Sequence, residues 1–299
     1  METDRILVGY DGSPAAEAAV EWAIDEARRW TCGVRLVEVV EWPVRVGPAT
    51  PRADNWPRTP AYRDTEQALD RTVSVLGAAN PDVPITGLVV EGPPATMLAE
   101  LSTGVQLVVV GNRGRGGFAD LLLGSVAAAL ATHAAGPVAV VRRGVAGSYA
   151  SGPVVVGVDE SPEARGAVSA AFAEAERRGA ELVAVRAWQP PQPWHSLGRP
   201  RNEDAVEELE TAERTLLADA LRDSRRATVS VSMRAPETGA ARALVEASRG
   251  AQLVVVGSRG RGGFRGSRLG SVTRQLLHHA HCPVLVVRAP GANDNEGTR

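Results

Sequence analysis

Short unbroken apolar runs recur along the chain, each closed by a glycine: Ile6-Leu7-Val8-Gly9, Leu107-Val108-Val109-Val110-Gly111, Val154-Val155-Val156-Gly157 and Leu253-Val254-Val255-Val256-Gly257. Runs of this length with no polar alternation predict strands buried on both faces, hence a parallel sheet. The first run leads into Ser13-Pro14 and the third into Ser161-Pro162. Each pair reads as a serine N-cap with proline at the first helical position. Ala15, Ala19, Trp22, Ala23, Glu26 and Trp30 then follow at helical spacing, Glu26 being the polar exception. In the second half Val206, Leu209, Leu216, Leu217 and Leu221 mark a later amphipathic helix. Alternating strands and helices predict an α/β fold, a doubly wound parallel sheet with helices on both faces. Two stretches rich in Pro, Trp and Arg, Trp42–Ala61 and Gln189–Arg201, read as long loops where a lid could sit.

The pattern occurs twice. Ile6–Pro14 returns as Val154–Pro162, Gln106–Gly111 as Gln252–Gly257, and Pro137–Val141 as Pro283–Val287. Asp11 and Asp159 are 148 positions apart, whereas Gly111 and Gly257 are 146 apart. The halves therefore align along their length with a two-residue difference in the middle, and a repeat of this kind decides the architecture. The Gly-, Ala- and Ser-rich stretch Gly144–Gly152 separates them. This places a first domain at 1–145, a linker at 146–152, a second domain at 153–290 and a disordered polar tail at 291–299.

Composition narrows the chemistry. All 33 basic residues are arginine, so no P-loop lysine and no Schiff-base lysine exist. A net charge of −2 argues against a general nucleic-acid binder. No apolar run approaches membrane-helix length, and no secretory signal precedes the first strand. Two cysteines, Cys32 and Cys282, give no disulfide framework and fit a reducing compartment. A cytoplasmic location is expected.

The candidate chemistry follows the fourth strand of each half. Gly111–Ser125 and Gly257–Ser271 both fit G-x2-G-x9-G-S. Glycines let backbone N–H groups approach an anion without a Cβ in the way. Gly124-Ser125 and Gly270-Ser271 open a helix whose free N–H groups and dipole favour phosphate. The serine hydroxyl is expected to act as N-cap when the site is empty or to donate to a phosphate oxygen when it is filled. A site at the carboxyl end of a strand is where open parallel sheets take ligands.

With the Asp after strand one, the strand-four glycine loop, the Leu-Gly-Ser-Val junctions and the closing Pro-Val strands in view, the chain resembles a tandem universal stress protein of the ATP-binding type. The resemblance covers about Arg5–Arg142 and Pro153–Arg288. It implies two Rossmann-like five-stranded sheets packed as an internal pseudo-dimer, with the closing strands as antiparallel neighbours. It also implies that the loop wraps the phosphates of ATP and that the Asp sits beside the ribose or a metal. Carried over by position, the ligand-binding residues are Asp11, Gly111, Arg113, Gly114, Gly124, Ser125 and Val126 in the first half. In the second they are Asp159, Gly257, Arg259, Gly260, Gly270, Ser271 and Val272. The adenine is expected against the end of strand two, at Val39 and Val185. A magnesium ion accompanying the nucleotide is left open.

Other signals weigh less. Asp11 and Asp159 also suit plain turns. His278, His279, His281 and Cys282 lack the paired spacing of zinc motifs, and the first half has only His133 there. Cys282 begins a buried strand and is no nucleophile signature. Trp42, Trp56, Trp188 and Trp194 serve as packing anchors or as adenine stackers. No dedicated catalytic apparatus is visible. The reading is a stress-response or regulatory protein signalling through ATP occupancy, with slow hydrolysis or autophosphorylation left open. The alternative is an adenylyl-transferring or ATP-hydrolysing enzyme of the same α/β group. A homodimer is compatible with this, and the downstream partner is not specified. From Gly111 to Ser125 the charges sum to +1 and from Gly257 to Ser271 to +4, which predicts tighter binding at the second site.

Overall fold

Among the described residues there are ten short strands, most of them buried apolar runs. The computed structural model describes residues 4–41, 60–116, 122–142, 151–190, 203–261 and 269–288. The linker at 146–150, the tail at 291–299, Trp42, Trp56 and Trp194 lie outside the described residues, as do the two expected long loops for most of their length. The first repeat runs β1 (Asp4–Gly9), α1 (Pro14–Trp30), β2 (Gly33–Val40), α2 (Pro60–Ala79), β3 (Ile85–Glu91), α3 (Pro94–Leu101), β4 (Leu107–Gly111), α4 (Ser125–His133) and β5 (Val138–Val141). The second runs β6 (Val154–Gly157), α5 (Pro162–Arg178), β7 (Leu182–Val185), α6 (Glu203–Arg222), β8 (Val231–Arg234), α7 (Ala240–Ala247), β9 (Leu253–Gly257), α8 (Ser271–His279) and β10 (Val284–Val287).

The chain divides into two compact units, Met1–Gly136 and Pro137–Arg299. In the first, parallel strands lie in the order β3-β2-β1-β4. In the second, β8-β7-β6-β9-β10 are parallel, and β5 joins them antiparallel to β10 through Val140 opposite Val284 and Val138 opposite Val286. The two closing strands therefore meet as antiparallel neighbours. Counted by repeat there are five strands each; counted by compact unit there are four and six. The division falls before β5 because its ladder to β10 ties it to the second unit. In each unit the first strand sits between the second and the fourth, which opens a crevice at the carboxyl ends of the first and fourth strands.

Local signals act as their chemistry requires. Ser13 Oγ accepts from Ala16 N and Ser161 Oγ from Ala164 N, capping α1 and α5 with proline at the first position. Both helices end on a left-handed residue, Gly179 in α5 but Thr31 in α1, at φ 51° and ψ 54°. Glu26, the polar exception on α1, is buried and paired with Arg29 at 3.0 Å. Its counterpart Glu174 is buried against Arg177 and Arg178. Leu217 and Leu221 face the core from α6, but Leu216 is 41% exposed because it falls off the buried stripe. Trp188 is buried and donates its indole N–H to Ala235 O at 2.9 Å, an anchored packing role.

Candidate functional site

Each unit sets its sequence-predicted residues around the carboxyl ends of its first and fourth strands, except Val39 and Val185, which lie on the second strands. In the first unit Asp11 uses both carboxylate oxygens. Oδ1 accepts from Ser13 N at 2.9 Å, closing the turn into α1, and Oδ2 accepts from Arg115 N at 2.7 Å, on the glycine loop. The second unit repeats this: Asp159 Oδ1 accepts from Ser161 N at 2.9 Å, and Oδ2 from Arg261 N at 3.0 Å. The aspartate is thus a turn former and also the tie between two loops. It is also why a glycine directly follows the first arginine of the loop: a Cβ on Gly114 or Gly260 would stand 2.5 Å from that same Oδ2. Gly111 and Gly257 are required by packing against the first helix, since a Cβ there would meet Ala15 C and O at 2.7 Å or Glu163 Cβ at 2.8 Å.

The helices after the loops begin differently from expectation. Gly124 and Gly270 are themselves the N-caps, with extended backbone and no side-chain capping bond. Ser125 and Ser271 occupy the first helical position and do not cap. The cap needs extended backbone, which the glycine supplies while its N–H bonds back to Asn112 O or Ser258 O at 2.8 Å. The helix starts therefore present N–H groups without a protein side chain on them, the arrangement that suits an anion. Val126 and Val272 are the second residues of these helices, and Thr273 Oγ1 donates to Gly257 O at 2.8 Å, locking α8 to the end of β9.

In the second unit these groups line a cavity of about 460 Å³. Asp159, Val185, Gly257, Arg259, Gly260, Gly270, Ser271 and Val272 all face it. The adenine-side pair Val39 and Val185 is not an equivalent pair. Gly9 registers with Val37 and Gly157 with Val185, so Val185 matches Val37 and Val39 matches Ala187. The two-residue difference between the repeats lies after β2, where Val34 opposite Ile85 and Leu182 opposite Val231 restore the 146-residue offset. Ala187 lines the cavity and was missed through that offset.

The electrostatics were not foreseen either. Arg259 donates from Nε at 3.0 Å and Nη2 at 2.9 Å to Glu163 Oε1. Arg261 Nη1 donates to Glu160 Oε2 at 2.6 Å, and Arg186 Nη2 donates to Glu160 Oε1 at 2.6 Å. Arg186, 4% exposed on the cavity wall, also donates from Nε to Glu213. The Arg261 guanidinium, with Arg186 behind it, holds the Glu160 carboxyl below the usual carboxylate range. In the first unit Arg115 Nη2 donates instead to Glu38 Oε1 at 2.8 Å. Burial pushes the Glu38 carboxyl up in spite of Arg115. Glu38 and Arg186 occupy one register position, as do Gly12 and Glu160. Arg115 and Arg261 recur at fixed spacing in both loops and were findable from the repeat; their acceptors differ between repeats and were not. Asp120, Arg265 and Arg268, on which the charge count of the two loops depends, lie outside the described residues.

Elsewhere the reactive groups are quiet. Cys282 is buried, and burial pushes its thiol up to about 12. His133, His278 and His279 lie in the last turns of α4 and α8, and burial lowers the pKa of His278, disfavouring its charged form. Among the described residues no group of three or more His, Cys, Asp or Glu side chains is placed to hold a metal ion, and no helix is long and apolar enough to cross a membrane.

Comparison with known proteins follows the repeat. The family model described as the universal stress protein family matches residues 2–142 and again 151–288. The universal stress protein Rv1996 of Mycobacterium tuberculosis is 39% identical over 308 residues, covering 95% of each chain. A universal stress protein of Mycolicibacterium smegmatis is 38% identical over 291 residues, covering 95% of this chain and 96% of that one. Among solved structures, a universal stress protein from Archaeoglobus fulgidus matches the fold with a TM-score of 0.67 at 18% identity, covering 97% of this chain and 100% of that one. With the family's domain found once in each half and relatives of this identity along nearly its whole length, the chain belongs to the universal stress protein family.

Proposed function

We propose that the chain binds ATP at the carboxyl ends of the first and fourth strands of each unit and acts by nucleotide occupancy rather than turnover. The observation that carries this is the second-unit cavity, where the glycine loop, the aspartate and a helix start without a side-chain cap converge on a single space. The residues fit the ligand. Gly260 and Gly270 leave the loop backbone bare, Ser271 and Val272 begin the helix, and Arg259 and Arg261 stand on the rim. About 460 Å³ is the size of a small-molecule site. Asp11 and Asp159 would face the ribose or a magnesium ion carried in with the phosphates. The first unit repeats the backbone ties at Asp11 and Gly124, and its site is proposed to take in Gly111, Arg113, Gly114, Ser125 and Val126 as well. Val39 in the first unit and Ala187 in the second, matched by register, are the positions proposed for the base, and Val185 lines the second cavity with Ala187.

The test is mass spectrometry of the purified protein for bound nucleotide, followed by calorimetry with ATP on Gly114→Asp, Gly260→Asp and the double variant. Each single substitution should remove one site, and the double should remove both. Wild-type-like ATP binding by the double variant would show that the glycine loops are not the site. Incubation with ATP, assayed for ADP, AMP and pyrophosphate, separates this reading from the enzymatic one. Turnover above roughly 1 per second would favour an enzyme.

A further inference from the structure

The loop arginines that a polyphosphate would need are already engaged by carboxylates, and the second unit does this with a residue the first does not have. At the position of Gly12 stands Glu160, which bridges Arg261 from the glycine loop and Arg186 from the cavity wall. Arg186 is buried and held from its other side by Glu213, so it is fixed, and it fixes Glu160 in turn. Arg261 is the movable member, its side chain 60% exposed. Its neighbour Arg259 has its Cα against Gly270, at the helix start, whereas Arg261 stands two residues farther along the loop. A phosphate at the helix start would lie beside the Arg259 backbone, and Arg261, two residues farther along the loop, is the position assigned to the distal phosphates of a longer chain.

We propose that Glu160 is a specificity-determining residue of the second site: it competes with the distal phosphates of a nucleoside triphosphate for Arg261 and thereby sets the triphosphate affinity of that site. This rests on the reading of the cavity as a nucleotide site. An exposed guanidinium–carboxylate pair is weak enough for a multiply charged phosphate to displace. When Arg261 leaves, Glu160 remains paired with Arg186, so no uncompensated carboxylate is turned toward the ligand. The first unit has no such brake at position 12, and its Arg115 crosses to Glu38 instead.

The experiment is calorimetry with ATP and with AMP on the full chain carrying Gly114→Asp, which closes the first site. Into this background go Glu160→Gln, Glu160→Gly (the first unit's residue), Arg261→Gln, and Glu160→Gln with Arg261→Gln. Both Glu160 variants should bind ATP about three- to fivefold more tightly, the scale of an exposed ion pair. AMP affinity should stay within about twofold by the same scale. The gain for ATP should vanish when Arg261 is also replaced. A chain that binds ATP but gains nothing on Glu160→Gln overturns the proposal and leaves the site reading standing. A gain that persists without Arg261, or that extends equally to AMP, does the same, since it would mark a general field effect. ATP binding by none of these chains overturns both.

Discussion

Gly114 and Gly116 lie two residues apart on the first glycine loop, and neither has a positive φ. They differ in what a methyl group would meet. A Cβ on Gly114 would come to 2.5 Å from Asp11 Oδ2, and a Cβ on Gly116 would meet nothing within 4 Å. Gly114→Ala must therefore push Asp11 aside, and Oδ2 must give up the Arg115 N–H it holds at 2.7 Å. A hydrogen bond to a charged group contributes roughly 1.5–3 kcal/mol when buried. This loop is open to water, which replaces part of the loss, so about 1 kcal/mol is expected. For a unit of this size that lowers the thermal midpoint by roughly 3–5 °C. Gly116→Ala should leave it unchanged. The assay is thermal unfolding of both variants, repeated with Asp11→Ala also present. Once Asp11 is gone the Gly114 methyl group has nothing to strike, so its cost should disappear, as a double-mutant cycle requires for a contact pair. Equal effects of the two alanines, or a Gly114→Ala cost that survives removal of Asp11, would refute the argument. Gly260→Ala should behave like Gly114→Ala, through Asp159.

Three further outcomes follow from single positions. Thr31 holds a left-handed C-cap that Gly179 holds in the second repeat, so Thr31→Gly should stabilise the chain by about 0.5–1 kcal/mol in urea unfolding, the relief of strain less the entropy glycine adds; a destabilised variant would contradict this. Gly111→Ala should cost roughly 1–3 kcal/mol in the same assay, because the methyl group meets the backbone of Ala15 at 2.7 Å rather than a side chain that can turn away. Burial raises the Glu38 carboxyl, so the folded state binds its proton more tightly than the unfolded chain does, and its contribution to stability is lost as pH rises. Glu38→Gln should therefore gain stability relative to the native chain as pH rises from the ordinary carboxylate range, and a difference that is flat or falls as pH rises would contradict the sign.

Much of the fold was legible because buried parallel strands read as bare apolar runs. Leu107–Val110 and Leu253–Val256 are buried throughout, and each ends in the glycine that lets the first helix approach. The serine–proline helix starts were legible because their chemistry is local. Legibility failed where a position depended on register. In β2 the sequence Val37-Glu38-Val39-Val40 offers several apolar residues that could match Val185, and only pairing with β1 chooses Val37. The helix starts were misassigned by one residue because Gly-Ser looks like glycine followed by a capping serine, while the tight return to Asn112 O or Ser258 O puts the glycine itself at the cap. The carboxylate partners of the loop arginines are far away in sequence, Arg261 from Glu160 and Arg115 from Glu38, and no spacing announces them.

The repeats have kept their backbone ties and exchanged their charges. Asp11 and Asp159 hold equivalent loops by equivalent bonds, and Arg115 and Arg261 both end on a carboxylate. Yet that carboxylate comes from the second strand in the first unit and from the turn before α5 in the second. The two solutions pair the loop arginine through different positions. With Glu38 in place, a glutamate at position 12 would set two carboxylates against one arginine, and with Arg186 in place, a glycine at 160 would leave Arg186 on Glu213 and take from Arg261 the carboxylate it holds. The backbone adds a second obstacle, since Gly12 sits at φ 70° and Glu160 does not adopt a positive φ. Gly12 and Glu38 therefore belong together, as Glu160 and Arg186 do. A change at either position alone passes through an arrangement with one charge unmatched, and so the two sites are held apart in their electrostatics while the fold around them stays the same.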